Sequence, residues 1–521
     1  MRQDQCIIGL DAGTSVVKAV LFDGQGRELG LHQIDVAPDR PHPLWAEQDM
    51  AMLWGHCETC IRRVADIARE MGRTVAGIGI TSTGDGTWMI DKAGDPVRPG
   101  ILWCDGRAGR IIERWHAGDT AARAFAICGT SVFAGSQAAQ LCWLRENEPE
   151  SLEKAAVIFH AKDWLFYKLT GKITSDETDE SLTMLGMTTR RYDPELFRIF
   201  QIDDLFEKFP TVVSTVENVG TILPAVAQQF GLSRDLMVGS GPMDVAACAL
   251  GTGAIESLQA SSILGTAGIH QLIMDRPLLE PKMVGMTLCH GVTGKWMRMM
   301  AAMTATPNLD WFVREPGRNL REEAHAAGES IFERLERDVR TVPVGSEGVM
   351  YHPYLSPGGE RGPFVKPSAR ASFTGLTMNH GIRHMLRAVY EGVALATLDC
   401  YRHMPEQPEI VYLSGGGSRS GLWCQMMADC LGTPVSIPDG SQYGAKGAAI
   451  NLGIAMGCYK DAAEAVDQTI RQKHHYLPRT AQTSLYAELY ELYHRTCESQ
   501  MDLWDLRSDI FLKRGNNKHE R

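Results

Sequence analysis

A chain of 521 residues, 44% of them hydrophobic, is long enough for two large domains that each bury a core. The formal net charge is −11 with no long run of one sign, which argues against general nucleic-acid binding. No stretch of about 18 apolar residues free of charge occurs, so no helical membrane span is expected.

The N-terminus, MRQDQCIIGLDAG, enters a strand directly, with no apolar signal segment or cleavage site. Residues 6–36 alternate strand-like runs with glycine turns (CIIGLDAGT, SVVKAVLFD, GQG, RELGLHQIDV), a pattern that predicts a meander of about three antiparallel strands. A helix is predicted over 51–71 and a strand over 75–82. Along the helix, Leu53, Cys57, Cys60, Ile61, Val64, Ile67 and Met71 recur at helical spacing, so the Cys57-Glu-Thr-Cys60 motif reads as part of a core stripe rather than a zinc or redox site. Thirteen cysteines spread through apolar segments suit a reducing compartment, and a cytoplasmic location is expected. ITSTGDGTWMID (80–91) predicts two strands joined by a turn with Asp85 at its tip. The region to about 235 mixes helical and short strand patterns. Glycine-rich segments return near 238, and EIVYLSGGGSRSGLWCQMMADCLGTPVSI predicts strand, glycine turn, helix, strand. His474-His475 reads as a surface pair, and the last ten residues, LKRGNNKHER, are expected to be frayed.

Four short segments carry chemistry. In DAGTSVVK (11–18), Gly13 allows close backbone approach, and Thr14, Ser15 and the turn N–H groups can donate to phosphate oxygens. Lys18 could add charge, and Asp11 beside such a loop makes sense if it holds Mg²⁺, directly or through water. ILGTAGIH (263–270) repeats this logic at Gly265 and Thr266. In LSGGGSRSGLW (413–423), glycines precede a helix whose N-terminus would face an anion or nucleotide. In GPMDVAAC (241–248), Asp244 is either an N-cap or a carboxylate that accepts a proton from a substrate hydroxyl.

In this order, the two phosphate hairpins and the later glycine loop resemble the actin-like ATPase fold of hexokinase, actin and Hsp70. Asp244, with FHAKDWLFYKLTGKITSDETDES, PYLSPGGERGPF and FTGLTMNHGIRHMLRAVYEGVA, narrows this to the FGGY carbohydrate kinases, over about residues 5–500. The resemblance implies an α/β fold of two ribonuclease-H-like lobes with a cleft between them. Its expected division is 1–250 (N-terminal lobe, mainly sugar), 251–500 (C-terminal lobe, mainly ATP) and a tail over 501–521. It implies ATP and Mg²⁺ as cofactors, Asp11 on the metal side and Asp244 as general base. Gly265 and Thr266 form the second phosphate loop, and Gly416, Gly417 and Ser420 fall in the adenosine loop. Thr306, Asn308 and Asp310 lie near the nucleotide.

At the positions of Gly84 and Asp85, xylulokinases carry Met-His and glycerol kinases Arg-Glu, so neither specificity carries over. Trp103, in GILWCDGRAGR, is expected to wall the sugar pocket, with Asp105 and Arg107 as supporting partners. An ionised Asp85 only accepts hydrogen bonds and could bind two hydroxyls, while Gly84 would leave room for a chain longer than glycerol. The turn therefore favours an all-hydroxyl acceptor of four or five carbons. GDGTW, WAEQDMAMLW and TATPNLDWF resemble the erythritol and L-xylulose kinase branch. The expected activity is phosphorylation of a terminal hydroxyl, with erythritol as acceptor. An L-xylulose or other ketopentose kinase is the alternative, and an actin- or Hsp70-like ATPase without sugar a remote one. A sugar-responsive regulator with an N-terminal helix-turn-helix is not expected from a chain that starts at its first strand. The partners are a small polyol or sugar, with a homodimer left open and no nucleic acid or membrane.

Overall fold

The computed structural model describes residues 1–516. In chain order, the elements that matter for the site begin with β1 (Gln5–Ala12), β2 (Val16–Asp23), β3 (Glu28–Asp35), α1 (Met50–Glu70) and β4 (Thr74–Ser82). Next come α2 (Gln137–Asn147), α3 (Ala161–Thr170), β5 (Met237–Ser240), α4 (Asp244–Thr252), β6 (Gln259–Leu264) and β7 (Gly268–Met274). The series ends with α5 (Ile382–Arg402), β8 (Ile410–Ser414), α6 (Gly421–Leu431), β9 (Val435–Pro438), α7 (Tyr443–Ala455), β10 (Gln472–Tyr476) and α8 (Thr480–Asn516). The chain divides into two sheet-bearing α/β units. The first comprises Met1–Ser257, Ile273–Arg298 and Asp439–Arg471; the second comprises Leu258–Leu272, Met299–Pro438 and the chain from Gln472.

The first unit is built on a six-stranded sheet in the order Val219–Thr221, β5, β4, β1, β2, β3. The predicted meander is present, with β1 antiparallel to β2, β2 antiparallel to β3, and β4 alongside β1 in parallel. Period-two alternation gives the sheet two apolar faces. Ile8, Leu10, Val17, Ala19 and Leu21 join the α1 residues Leu53, Cys57, Cys60, Ile61 and Val64 in one core. Ile7, Val20 and Phe22 pack instead with Ala445, Ala449 and Leu452 of α7. Cys57 and Cys60 are therefore core residues, and burial raises both thiols, Cys60 to about 11. The stripe is one residue shorter than expected, because Met71 lies past the end of α1 and is exposed.

Helix α7 lies unusually close to its neighbours. A Cβ at Gly9 would stand 2.1 Å from Ala445 O, and one at Gly447 would stand 1.9 Å from Ala247 O of α4. Only a helix as small-faced as YGAKGAAINLGIA can sit this near a sheet backbone. This seating brings the start of α7 against the end of β1, where a Cβ at Gly444 would stand 2.8 Å from Asp11 Oδ2.

In the second unit, β7, β6, β8, β9 and β10 are neighbours in that order. β6 runs antiparallel to β7 and parallel to β8, and β9 pairs parallel with β8 and antiparallel with β10. The strand–turn–helix–strand reading over 410–437 is thus realised as β8, a short 3₁₀ turn, α6 and β9. α5 is buried at every position from Leu386 to Tyr401. His474 and His475 lie exposed on β10. The fraying expected over 512–521 does not begin at 512, since α8 continues to Asn516; residues 517–521 lie outside the described part.

Candidate active site

In the first unit, Asp11 is the penultimate residue of β1 and Lys18 sits opposite it on β2, so the antiparallel register puts both side chains on one face. Lys18 Nζ lies 3.1 Å from Asp11 Oδ2, and the Asp11 charge raises the Lys18 pKa. The hairpin turn is only partly available as a phosphate cradle. The Gly13 N–H is spent on Val16 O at 3.0 Å, which corrects the expectation that this donor is free. Thr14 Oγ1 accepts from Trp103 Nε1 at 3.0 Å, tying the indole to the turn, and Ser15 is exposed. Trp103 itself is 37% exposed.

Asp244 is the first residue of α4, and Met243 rather than Asp244 holds the N-cap position. Its Oδ1 accepts from Val245 N at 2.7 Å. Burial, followed by the Asp11 charge, pushes its carboxyl up to about 7. Two hydrogen bonds fix the loop before it: Thr81 Oγ1 donates to Pro242 O at 2.7 Å, and Met243 N donates to Thr178 Oγ1 at 3.0 Å. A half-buried carboxylate that titrates near neutrality is suited to accept a proton from a hydroxyl.

The GDG turn is strained in the direction that Asp and Gly tolerate, with φ of 62° at Asp85 and 85° at Gly86. Asp85 Oδ1 accepts from Gly86 N at 3.0 Å and from Gln137 N, the first residue of α2, at 2.8 Å. Ser136, at the N-cap of α2, makes no side-chain cap bond, so Asp85 supplies the capping oxygen from a distant strand end. Oδ2 is buried and has no hydrogen-bond partner. The expectation that both oxygens face a substrate is therefore corrected, because one is committed to the backbone. The room expected at Gly84 is also absent: a Cβ there would stand 2.6 Å from Met243 Sδ. Burial pushes the Asp85 carboxyl up to about 6, against the pull of His160.

Beneath the turn lies a buried ionic cluster that sequence reasoning quoted as a motif without assigning roles. Lys162 Nζ contacts Asp176 and lies 3.0 Å from Asp179 Oδ2, and His160 Nε2 lies 3.7 Å from Glu180 Oε1. Asp163, Asp176 and Asp179 converge closely enough for a cation, and the Lys162 ammonium already serves as one. Interleaved charges in FHAKDW and SDETDES were the available signal. The partners Asp105 and Arg107 are structural as expected: Arg107 bridges Asp105 at 2.9 Å and Glu47 at 2.7 Å, all buried.

In the second unit, the β6–β7 turn carries Gly265 and Thr266. Thr306 N and Thr306 Oγ1 both donate to Gly265 O, at 3.0 and 2.9 Å, and Ala305 N donates to Thr266 O at 3.0 Å. Thr306 and Asp310 then line a cavity of about 360 Å³ together with Gly416, Gly417 and Ser420. Gly265 and Thr266 do not line it but connect to it through Thr306. Phe332, Glu336, Tyr390 and Arg419 also line it; Tyr390 and Arg419 lie inside quoted motifs but were given no role, and nothing in the local pattern marks Phe332 and Glu336. Ser420 caps α6 by accepting from Trp423 N and donates to Glu336 Oε1 at 2.6 Å. Asn308 braces the fold instead: its Oδ1 accepts from Tyr351 and its amide bonds Ala305 O.

Residues 6–251 match the N-terminal domain, and residues 260–456 the C-terminal domain, of the FGGY family of carbohydrate kinases. The chain is similar to the erythritol kinase of Brucella abortus (strain 2308), with 30% identity over 514 residues covering 96% of this chain and 97% of that protein. It is equally similar to the xylulose kinase of Escherichia coli (strain K12), at 30% over 501 residues covering 95% and 99%. Its fold is that of the crystal structure of gluconate kinase from Lactobacillus acidophilus, with a TM-score of 0.87 at 23% identity over 95% of this chain and 98% of that one.

Proposed function

The chain belongs to the FGGY family of carbohydrate kinases, ATP-dependent phosphotransferases acting on a sugar or polyol, and from that premise we propose that its acceptor is a small polyol, erythritol foremost. One observation carries this reading: the buried side-chain atom that the GDG turn leaves without a hydrogen-bond partner is a carboxylate oxygen, Asp85 Oδ2, which when ionised accepts from a hydroxyl and offers nothing to a carbonyl. The erythritol kinase among the relatives supports it. Family membership sets aside a sugar-independent actin- or Hsp70-like ATPase.

In this proposal the first unit binds the acceptor through Asp85, Trp103 and Asp244. The second unit binds ATP, with the adenosine in the cavity lined by Glu336, Gly416, Gly417 and Ser420 and the phosphates towards Gly265, Thr266 and Thr306. The acceptor hydroxyl oxygen attacks the γ-phosphorus, the bond to the β-phosphate oxygen breaks, ADP leaves, and Asp244 takes the hydroxyl proton. Because the transition state is loose, that proton moves late, and a base near 7 suffices. The residues also fit Mg²⁺: Asp11 and Asp244 are hard oxygen donors close enough for one to raise the pKa of the other. Asp11 would hold the ion, which when bound neutralises charge on the phosphates. Lys18, already paired with Asp11, keeps that carboxylate oriented. Thirteen free thiols and ATP dependence suit the cytoplasm, and no helix among the described residues is long and apolar enough to cross a membrane.

One observation favours a second reading, an L-xylulose or other ketopentose kinase. An Asp85 carboxyl raised to about 6 is partly protonated below neutrality, and a protonated carboxyl can donate to a ketose carbonyl. Measuring kcat/KM for erythritol, ribitol, glycerol and D- and L-xylulose, with ADP release as readout, decides between them. A tenfold or greater preference for a ketopentose overturns the polyol assignment.

A further inference from the structure

Far along the chain from these motifs, the C-terminal end of α5 meets α8. Asp399 and His403, the residue that caps α5, stand one turn apart, and His494 and Glu498 stand one turn apart on α8. Both His403 Nδ1 and His494 Nδ1 lie 3.4 Å from Asp399 Oδ1, and one donor atom from each of the three residues lies within 4.8 Å of the other two. A tetrahedral ion with bonds of about 2.05 Å spaces its ligand atoms about 3.3 Å apart. The two measured separations are edges of such a tetrahedron.

The surroundings are those of a ligand set rather than a chance surface pair. The Asp399 side chain is 2% exposed and oriented by Tyr490, whose hydroxyl donates to Oδ1 at 2.7 Å. His494 stacks on the Tyr490 ring, and its other nitrogen, Nε2, faces Glu498 Oε1 at 3.5 Å. That is the carboxylate–histidine–metal relay by which proteins orient an imidazole toward an ion. Both imidazoles are 34% exposed, which leaves an entry path and a position for water. At present His403 Nδ1 also bonds Asp399 O at 2.8 Å, and an entering ion takes the place of that proton.

We propose that Asp399, His403 and His494 form a binding site for a divalent transition ion of the zinc class, which clamps α8 onto the end of α5. Two imidazoles and a carboxylate select such an ion over Mg²⁺, which prefers all-oxygen ligands. Drawing ligands from side chains on facing helices is a standard way to build a metal site between them. None of the three residues lines the nucleotide cavity, so the site is separate from the kinase chemistry.

The test uses the full chain stripped with EDTA, free of nucleotide and Mg²⁺, and titrated with ZnCl₂ by calorimetry and with CoCl₂ by absorption. The expected result is one equivalent bound, tetrahedral Co²⁺ bands, and a Zn²⁺-dependent rise in Tm. Glu498→Gln should weaken binding about 10- to 100-fold. The double variant His403→Gln/His494→Gln should weaken it at least as much and abolish the Tm rise, while retaining kinase activity as evidence of folding. His474→Ala/His475→Ala should bind like the parent. Absence of binding by the parent at millimolar Zn²⁺, equal binding by parent and double variant, or loss of binding in His474→Ala/His475→Ala would each overturn the assignment.

Discussion

Asp85→Asn separates the two duties of the GDG aspartate. Asp85→Ala would confound them, because it strands the buried N–H groups of Gly86 and Gln137, each at about 1–3 kcal/mol, and places a Cβ-only residue at φ 62°. The asparagine amide oxygen can keep both bonds, and Asn tolerates the left-handed region. What changes is Oδ2, the unpartnered oxygen, which becomes an NH₂ donor. If Oδ2 accepts from a substrate hydroxyl, losing a bond to a charged group worth about 1.5–3 kcal/mol lowers kcat/KM for erythritol roughly 10- to 100-fold. The donor now present should penalise a ketopentose less, so the erythritol-to-xylulose ratio falls. The assay is kcat/KM on both acceptors, with Tm measured in parallel and expected within a few degrees of the parent. An unchanged ratio with unchanged kcat/KM would reduce Asp85 to a cap for α2 and remove the support it gives to the polyol reading.

Asp244→Asn should lower kcat about 10²- to 10⁴-fold in single-turnover transfer while leaving acceptor binding by calorimetry largely intact. In the parent, kcat/KM should rise with pH through about 7 as Asp244 loses its proton, and that acid limb should vanish in the residual activity of the variant. Gly265→Val, at a position where a Cβ meets nothing closer than 3.7 Å, should fold normally yet weaken ATP binding more than acceptor binding, since the added branch points into open space at the turn proposed to hold the phosphates. Gly447→Val should cost about 1–3 kcal/mol or more, read as a fall in Tm, because Ala247 O stands 1.9 Å from its Cβ position.

What the sequence made legible has a common physical basis. The meander, α1 and the strand–glycine turn–helix of β8 and α6 follow from local periodicity and from glycines at turns, and such signals survive without knowledge of tertiary partners. Ordered glycine motifs likewise pointed to Gly416, Gly417 and Ser420, which line one cavity with Thr306 and Asp310. Glu336 and Phe332 escaped because a charged residue and an aromatic on an amphipathic helix look like any solvated face and edge. The Gly13 donor was misjudged for a related reason: sequence shows that a turn has an N–H, not which way it points.

Gly84 and Asp85 show where local reasoning meets its limit. The absence of a side chain at Gly84 reads as empty space until Met243, 159 positions later in the chain, proves to fill it. Asp85 reads as a free carboxylate until α2 claims half of it. The two facts are coupled. Met243 precedes the proposed base Asp244 and is held by Thr178, so the group that fills the Gly84 space also fixes the start of α4. A larger residue at 84 would press first on the Met243 thioether, 2.6 Å from its Cβ position, and then on Asp179 Oδ1 at 3.2 Å, next to the loop that carries the proposed base. The specificity proposed for this turn therefore depends on Gly84, Asp85 and Met243 together. A side chain introduced at 84 requires the Met243 side chain to move or a smaller residue at 243, and a replacement for Asp85 must bring another oxygen to the N–H groups of Gly86 and Gln137. Gly84→Ala alone should lower kcat more than it raises KM, and Gly84→Ala with Met243→Ala should recover part of that loss. Equal kcat in the single and double variants would uncouple the acceptor turn from the base.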